Sequence, residues 1–229
     1  MSPGGGWDVI AANRQATYDF FMRCKKPDGG FVVCEGGEVD VRSAKQHMKH
    51  SQLMSRGTYC LLVVATLLDI LTPELLENVD SFIASCQTYE GGFACSTFPF
   101  ATGESPALAE AHGGYSSCSI LAHFLLASAN PAQDEASSLG SSFPKAIDVD
   151  AALRWSVLMQ GEAIEAGGFR GRSNKLVDGC YSWWVGGGVP VLEELVRRKS
   201  AAVGRSAEVQ RNPLFNQGQL RFSSHGVTS

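Results

Sequence analysis

A repeated unit of helix and turn constrains the fold of this chain more than any other feature. The segment FMRCKKPDGGF at residues 21–31 is echoed by IASCQTYEGGF at 83–93, and a degenerate copy runs from VLMQ at 157–160 to AGGF at 166–169. Each copy is typical of a helix end followed by a Gly-Gly-aromatic turn, because glycine permits the positive φ that stops a helix and reverses the chain. The repeat therefore predicts an array of similar helical hairpins.

The helices on the two sides of each turn differ in character. The helix predicted at 73–86 is amphipathic, with Leu75 and Val79 in one apolar stripe among acidic residues. The helices after the turns are apolar on all sides; they are predicted at 59–71, 115–127 and from Cys180 to about Arg197. A polar outer helix and a buried inner helix in each unit predict an all-α fold with two concentric layers, an α/α toroid of which about three hairpins are present. Strand-forming residues are confined to the short runs 31–33 and 38–41.

Composition places the chain among ordinary globular proteins. Hydrophobic residues make up 44% and charged residues 18%, and the net charge of −4 gives no global basic field for nucleic acid. The seven cysteines are odd in number and show no Cys-x-x-Cys spacing, which favours reduced thiols over a disulfide framework. The longest apolar runs, such as 60–68 and 119–127, are too short to cross a bilayer. These features predict a soluble protein of the cytoplasm with no transmembrane segment.

The stretch AGGFRGRSNKLVDGCYSWW at residues 166–184 combines three kinds of chemistry. Cations such as Arg172 and Lys175 suit phosphate, a carboxylate and a thiolate suit zinc, and aromatic rings suit a long apolar chain. Each part alone has a simpler interpretation, namely solvated cations, an exposed acid beside a buried thiol, and core tryptophans. Asp178 and Cys180 would lie about 200° apart on a regular helix, so they can converge only at an irregular helix start, which Gly179 permits. The three kinds of chemistry together are more than the packing of a core requires.

A second motif, AHGGY at residues 111–115, places a histidine before two glycines and an apolar helix. This arrangement can present the ring of His112 beside free backbone N–H groups at a helix start, which suits an anion. Taken alone, such a histidine is more often a capping or core residue.

These motifs together resemble the β subunits of protein prenyltransferases. GRSNKLVDGCYSWW at 171–184 is similar to the zinc and diphosphate motif of that family, in the form of its farnesyl branch, with Trp183 in place of Phe. EGGEVDVRSA at 35–44 resembles the Gly-Gly-Glu-x-Asp-x-Arg segment of the same branch. Taken alone, Asp40 and Arg42 would be an ion pair on a surface turn. The resemblance covers residues from about Tyr18 to Leu195.

The resemblance implies a specific activity and a specific set of site residues. The activity is transfer of a farnesyl group from farnesyl diphosphate to the cysteine of a C-terminal CaaX box, in a heterodimer with a prenyltransferase α subunit. The implied catalytic residues are Tyr181 and Lys175. The implied substrate-binding residues are Arg42, His112, Gly114, Tyr115, Arg172, Lys175, Tyr181 and Trp184.

A zinc site is also implied by the resemblance. Asp178 and Cys180 would supply two ligands, and a histidine in an Asp-x-Tyr-His segment would supply the third. That segment is not in this chain, where His225 stands in an unrelated context. Mg²⁺ is a second candidate metal. We therefore expect the chain by itself to be inactive.

The resemblance also divides the chain. A flexible start is expected at 1–17, the partial toroid at 18–196, and a polar, basic tail at 197–229. Two insertions are expected within the toroid, near 45–57 and near 127–146. His47 and His50 in the first insertion have the spacing of a metal pair, but a solvated basic loop is the simpler interpretation.

Two alternatives remain open from the sequence, and a third is disfavoured. A geranylgeranyltransferase β subunit belongs to the same family, although the sequences VDVRS and LVDGC favour the farnesyl branch. A truncated, non-catalytic remnant that binds only the α subunit or a lipid belongs to a different class of protein. The third is a triterpene cyclase, which shares the toroid but needs an Asp-rich acid motif that the short run 148–150 does not supply.

Overall fold

The computed structural model describes residues 6–32, 55–97, 106–129, 147–165 and 167–202. The helices are α1 (Trp7–Ala12), α2 (Arg14–Cys24), α3 (Ser55–Leu67), α4 (Pro73–Leu76), α5 (Val79–Ser85), α6 (Gly113–Ala129), α7 (Val149–Leu158), α8 (Cys180–Trp184) and α9 (Val189–Ala202). An antiparallel ribbon pairs β1 (Ser96–Thr97) with β2 (Ala107–Leu108). Short 3-10 turns lie at Ala163–Glu165 and Gly186–Gly188.

The described helices form two layers. In the inner layer α6 packs against α3, α8 and α9. In the outer layer α5 packs against α6 and α7 packs against α9. Fully buried side chains fill the space between the layers, among them Phe31, Leu62, Ile83, Phe93, Ile120 and Leu192. The predicted all-α toroid architecture is confirmed for this part of the chain.

Each of the three predicted turns is closed by an isolated bridge and contains a glycine of positive φ. The bridge Lys25↔Phe31 closes the first turn, Gln87↔Phe93 the second and Gln160↔Phe169 the third. Their glycines Gly29, Gly91 and Gly167 all have positive φ, at 93°, 106° and 65°. The first two turns are equivalent, with bridge partners six positions apart in the sequence, whereas those of the third are nine apart and enclose the 3-10 turn Ala163–Glu165.

The first two turns dock tightly on the outer helix of the next unit. A Cβ atom on Gly29 would lie 2.0 Å from the backbone oxygen of Asn78, and one on Gly91 would lie 2.2 Å from that of Ala151. The Gln87 side chain strengthens the second docking, since its amide donates to the Asp148 carbonyl at 2.8 Å and its oxygen accepts from the Asp148 N–H at 2.7 Å. Among the described residues, the third turn has no such neighbour.

The predicted outer helix at 73–86 is wrong in one respect, because it is two helices rather than one. Asn78 has a φ of 62°, in the left-handed region, and it separates α4 from α5. Asparagine tolerates this conformation better than most residues. Its side-chain amide donates to the Pro27 carbonyl at 3.0 Å, so the break is where the first turn docks.

Other element bounds also differ from those expected. The third inner helix is interrupted at Gly186–Gly188, where a run of glycines has poor helix propensity. The ribbon of β1 and β2 was not anticipated, because each strand has only two residues. Helical structure begins at Trp7, within the stretch expected to be a flexible start, and α9 continues to Ala202 beyond the expected toroid boundary.

Several predicted features lie outside the described residues. They are Arg42, the segment 35–44, most of both expected insertions, and the tail beyond Ala202. Within the described part, no helix is both long and apolar enough to cross a membrane. The six cysteines described there are free thiols.

Candidate functional site

The two sequence motifs meet at the start of α6. The segment after the third turn folds back on itself through the bridge Arg170↔Val177 and a hydrogen bond of 3.0 Å from the Asp178 N–H to the Phe169 carbonyl. We call residues 169–178 the site loop. The Gly113 N–H donates to the Gly171 carbonyl at 2.8 Å, which fixes the site loop against the helix start that carries His112.

The ring of Tyr181 is held between two glycines. A Cβ atom on Gly171 would lie 2.1 Å from the Tyr181 ring carbon Cζ, and one on Gly113 would lie 2.8 Å from Cδ1. Neither glycine has a positive φ, so their role is to let the backbone approach the ring. Gly113 and Gly171 therefore position Tyr181, although neither is among the predicted site residues. The sequence did contain a signal for this role, because Gly113 directly follows His112 in one motif and Gly171 directly precedes Arg172 in the other.

His112 is bonded through both of its ring nitrogens. The Gly114 N–H donates to Nδ1 at 3.1 Å, and Nε2 lies 3.0 Å from the Tyr181 hydroxyl oxygen. The rings of His112 and Tyr181 meet edge to face with 5.7 Å between their centroids, and the Tyr115 ring lies 5.1 Å from His112. Three aromatic rings and a helix start therefore converge at one point.

Electrostatics keep the His112 ring neutral. Burial lowers the pKa of His112, Arg172 and Arg56 lower it further, and Glu110 opposes them. The pKa of Tyr181 is raised, first by burial and then by the nearby Cys180 and Asp178, while Arg172 opposes the shift. Both groups are therefore uncharged hydrogen-bonding groups near neutral pH.

Arg172 supplies a positive charge that acts on both His112 and Tyr181. Its Nε lies 3.2 Å from Glu110 Oε1, an ion-pair distance at which the angle does not make a hydrogen bond. Lys175 is exposed on the same loop, and its backbone N–H donates to the Arg172 carbonyl at 3.2 Å. Glu110 is not among the predicted site residues, because an acid two residues before His112 forms no motif on its own. An anionic ligand would compete with Glu110 for the guanidinium group.

A small apolar cluster supports the site from below. Its buried members are Ala111, Trp155, Met159 and Val185, and Phe169 and Tyr181 pack against it. Trp184 is half-buried on α8, whereas Trp183 is 75% exposed. The cluster joins α7, the site loop and α8, so the position of Tyr181 depends on all three.

Asp178 and Cys180 converge at the start of α8, as predicted. The Asp178 carboxylate accepts a hydrogen bond from the Cys180 N–H at 2.9 Å, which with its contact to the thiol lowers the pKa of Asp178. The same carboxylate, with a smaller contribution from burial, raises the pKa of the Cys180 thiol. Gly179 has an ordinary helical φ of −55° and open space around it, so the convergence does not depend on a glycine at this position.

The donor set fits half of a zinc site. A carboxylate and a thiol that lie next to each other at the surface can bind a divalent cation once the thiol gives up its proton. The described residues contain no cluster of three or more His, Cys, Asp or Glu side chains that could hold a metal ion. Asp178 and Cys180 would therefore be two ligands of a site that needs a further donor.

The structure thus brings most of the predicted site residues into one region. His112, Gly114, Tyr115, Arg172 and Tyr181 are mutually close through the contacts above. Lys175 lies on the site loop, Trp184 lies on α8 with Tyr181, and Arg42 lies outside the described residues.

Comparison with known proteins agrees with this architecture. The family model described as "Prenyltransferase alpha-alpha toroid domain" matches residues 6–221. The chain therefore belongs to the prenyltransferase α/α toroid family.

Within this family, the chain is similar to the β subunits of several protein prenyltransferases. The chain is 39% identical over 192 residues to protein farnesyltransferase subunit beta of Pisum sativum, covering 84% of this chain and 36% of that protein. It is 41% identical over 190 residues to the corresponding subunit of Saccharomyces cerevisiae, covering 82% and 34%. Geranylgeranyl transferase type-1 subunit beta of Arabidopsis thaliana is 27% identical over 204 residues, covering 85% and 45%. The chain spans 36% and 34% of the lengths of the two farnesyltransferase subunits, about a third of each.

A solved structure supports the fold. Candida albicans protein geranylgeranyltransferase-I complexed with GGPP matches 81% of this chain and 49% of that chain, with a TM-score of 0.50 and 20% sequence identity. At this level of identity the likeness concerns the fold alone.

Proposed function

We propose that this chain is part of the β subunit of a zinc-dependent protein farnesyltransferase. The observation that carries the proposal is the meeting of His112, Tyr181 and Arg172 beside the Asp178–Cys180 pair. Neutral hydrogen-bond donors and a guanidinium group are suited to a diphosphate, and the adjacent carboxylate and thiol are suited to zinc. The identity of 30% to 41% to several farnesyltransferase β subunits supports the same function.

The reaction makes a thioether. The sulfur of a protein cysteine forms a bond to the first carbon of the prenyl chain, and the bond from that carbon to the diphosphate oxygen breaks. The diphosphate leaves with the electron pair. His112, Arg172 and Lys175 would stabilise its growing negative charge, and the Tyr181 hydroxyl would donate a hydrogen bond to it. Tyr115 and Trp184 would contact the apolar chain.

Asp178 and Cys180 would hold the zinc ion together with a histidine from elsewhere in the complete protein. Bound zinc lowers the pKa of a coordinated thiol, so that the substrate cysteine is a thiolate at neutral pH. Mg²⁺ remains a second candidate metal, because a diphosphate commonly binds it.

The complete enzyme would be a heterodimer with a prenyltransferase α subunit, acting in the cytoplasm on proteins with a C-terminal CaaX box. Farnesyl diphosphate is proposed over geranylgeranyl diphosphate because the farnesyltransferase relatives reach 41% identity, against 27% for the type-1 geranylgeranyl relative. This choice is tested by giving the full-length enzyme both diphosphates together and measuring which of the two prenyl groups it transfers faster.

Binding of prenyl diphosphate by Arg172→Ala tests the proposed diphosphate pocket. Loss of one charge-assisted contact of roughly 1.5–3 kcal/mol predicts about ten- to a hundredfold weaker binding in the full-length heterodimer, measured by calorimetry. Arg197→Ala is the matched control, since Arg197 is exposed on α9 and pairs with Glu194. Farnesol, which lacks the diphosphate, should bind equally well before and after the change. If the binding of farnesol weakens as much as the binding of the diphosphate, Arg172 stabilises the fold and does not contact the ligand.

Zinc content of Cys180→Ala tests the metal site. In the full-length heterodimer we expect loss of zinc and of turnover, with binding of the prenyl diphosphate retained. Zinc at wild-type stoichiometry in Cys180→Ala would contradict the assignment. A heterodimer with both ligands and zinc in place but no transfer would instead support the non-catalytic alternative.

A further inference from the structure

Glu110 lies on a stretch of backbone that is fixed on both sides. Before it, β2 pairs with β1, and Ala109 has a φ of 73°, in the left-handed region that residues other than glycine rarely adopt. After it, the backbone N–H of His112 donates to the Phe93 carbonyl at 3.0 Å. The direction in which Glu110 leaves the backbone is therefore set by its neighbours, one of which is in a strained conformation.

The partner of Glu110 is Arg172 on the site loop, and Glu110 Oε1 lies 3.2 Å from Arg172 Nε. The hydrogen bond of 2.8 Å from the Gly113 N–H to the Gly171 carbonyl joins the two segments next to this pair. The Nε atom is buried and has no hydrogen-bond partner among the described residues, since the Glu110 oxygen is close but poorly aligned. Glu110 therefore neutralises Arg172 without making a strong bond to it.

This ion pair is weak enough for a ligand to displace. The side chains of Glu110 and Arg172 are 47% and 40% exposed, and ion pairs at such exposure typically change an equilibrium constant by at most about fivefold. A charge-assisted bond from a guanidinium group to a diphosphate typically contributes about ten- to a hundredfold. A diphosphate would therefore take the guanidinium group from Glu110.

We propose that Glu110 is an internal competitor for the diphosphate: it occupies Arg172 in the ligand-free protein, is displaced when a prenyl diphosphate binds, and speeds release of the diphosphate product by taking Arg172 back. In this role Arg172 is the direct ligand of the diphosphate, and Glu110 is a positioning residue that acts through Arg172. The inference rests on the proposed function for the identity of the ligand.

Glu110→Gln tests the proposal, because it removes the competing charge and keeps the shape of the side chain. In the full-length heterodimer we expect this variant to bind farnesyl diphosphate and inorganic diphosphate roughly threefold to fivefold more tightly than the wild type, with slower dissociation of both. Farnesol, which carries no charge, should bind equally well to the two proteins. Equal or weaker binding of the two diphosphates by Glu110→Gln would overturn the proposal.

Glu194→Gln is the matched control. It removes the same charge from an ion pair with Arg197 on α9, outside the site, and should leave the affinities for farnesyl diphosphate, inorganic diphosphate and farnesol unchanged. If Glu194→Gln tightens diphosphate binding as much as Glu110→Gln does, the gain comes from the net charge of the protein and the role of Glu110 is wrong.

A double-mutant cycle with Arg172→Ala tests whether Glu110 acts through Arg172. Without the guanidinium group the carboxylate has nothing to occupy, so Glu110→Gln should then tighten farnesyl diphosphate binding by less than about 1.5-fold. The same gain with and without Arg172 would show that Glu110 repels the ligand directly, and displacement of the ion pair would be wrong. Failure of the proposed function would appear differently, as a wild-type heterodimer that binds no prenyl diphosphate.

Discussion

Tyr181 owes its position to the absence of two side chains. Gly113 and Gly171 let the backbone touch the ring, and His112 contacts the hydroxyl. The nearby Gly179 differs, because nothing lies within 4 Å of the position of its Cβ and its φ is −55°. Glycines in one short motif therefore have different roles, and the space around each one distinguishes them.

Alanine substitutions at Gly171 and at Gly179 should give contrasting results. Gly171→Ala puts a Cβ atom 2.1 Å from Tyr181 Cζ, so the ring must move. Overpacking of this kind typically lowers the free energy of unfolding by roughly 1–3 kcal/mol. Gly179→Ala should change it by less than about 1 kcal/mol. Thermal unfolding and diphosphate binding of the full-length heterodimer measure both effects. Equal effects of the two substitutions would argue against the close approach of Gly171 to the ring.

The lowered pKa of His112 makes stability depend on pH. Well above the ordinary value of 6.5, the ring is neutral in both the folded and the unfolded states. Below that value the unfolded chain takes up a proton that the folded His112 resists, so the folded state loses stability as pH falls toward the pKa of His112 in the folded protein. Thermal unfolding from about pH 7.5 to about pH 5 should show His112→Gln losing less stability than the wild type. Parallel curves for the two proteins would contradict this linkage.

At the scale of elements, the chain is built from turns that dock on the next helix. Gly29 contacts the backbone at Asn78, and Gly91 contacts the backbone at Ala151. For Gly167 the nearest atom to a Cβ is Gln160 Nε2, at 4.0 Å. The first two turns are thus interfaces between repeats, from which arrays of this kind gain much of their stability.

The three turn glycines should therefore tolerate alanine unequally. Gly29→Ala and Gly91→Ala combine left-handed backbone strain of about 1–2 kcal/mol with a collision against backbone of roughly 1–3 kcal/mol. Gly167→Ala should cause only the strain. Apparent unfolding midpoints of the three full-length variants measure the order. If Gly167→Ala is as damaging as the others, the third turn also has a close neighbour in the complete protein.

At the scale of the whole molecule, the described residues expose large apolar side chains. Ile164 is 93% exposed, Leu158 is 62% exposed and Leu176 is 81% exposed, near the third turn and the site loop. Trp183 on α8 is 75% exposed. Where such side chains lie together on a surface, they are typical of contacts with another part of a protein or with a ligand.

Residues 1–229 expressed alone should therefore bind hydrophobic dyes strongly or aggregate. The physical reason is that apolar side chains at the third turn, the site loop and α8 would face water. Dye fluorescence and light scattering, with the full-length heterodimer as the control, measure the effect. A monodisperse monomer that unfolds cooperatively and binds no dye would show that the 229-residue chain completes its own core.

The sequence by itself determined the repeat, the two kinds of helix and the motif chemistry of the site. These features are local: turn glycines, apolar periodicity and residue spacing depend on neighbours within a few positions along the chain. For the same reason it determined that Asp178 and Cys180 could meet only at a helix start.

Only the tertiary structure decided the features that depend on distant residues. Asn78 breaks the second outer helix because the first turn docks there, and Gly171 is needed because Tyr181 lies against it. The ion pair of Glu110 with Arg172 and the bond of His112 to Tyr181 join residues from different motifs. Such contacts follow from how α6, α8 and the site loop pack together, and no local pattern encodes a distance between residues that are far apart in the chain.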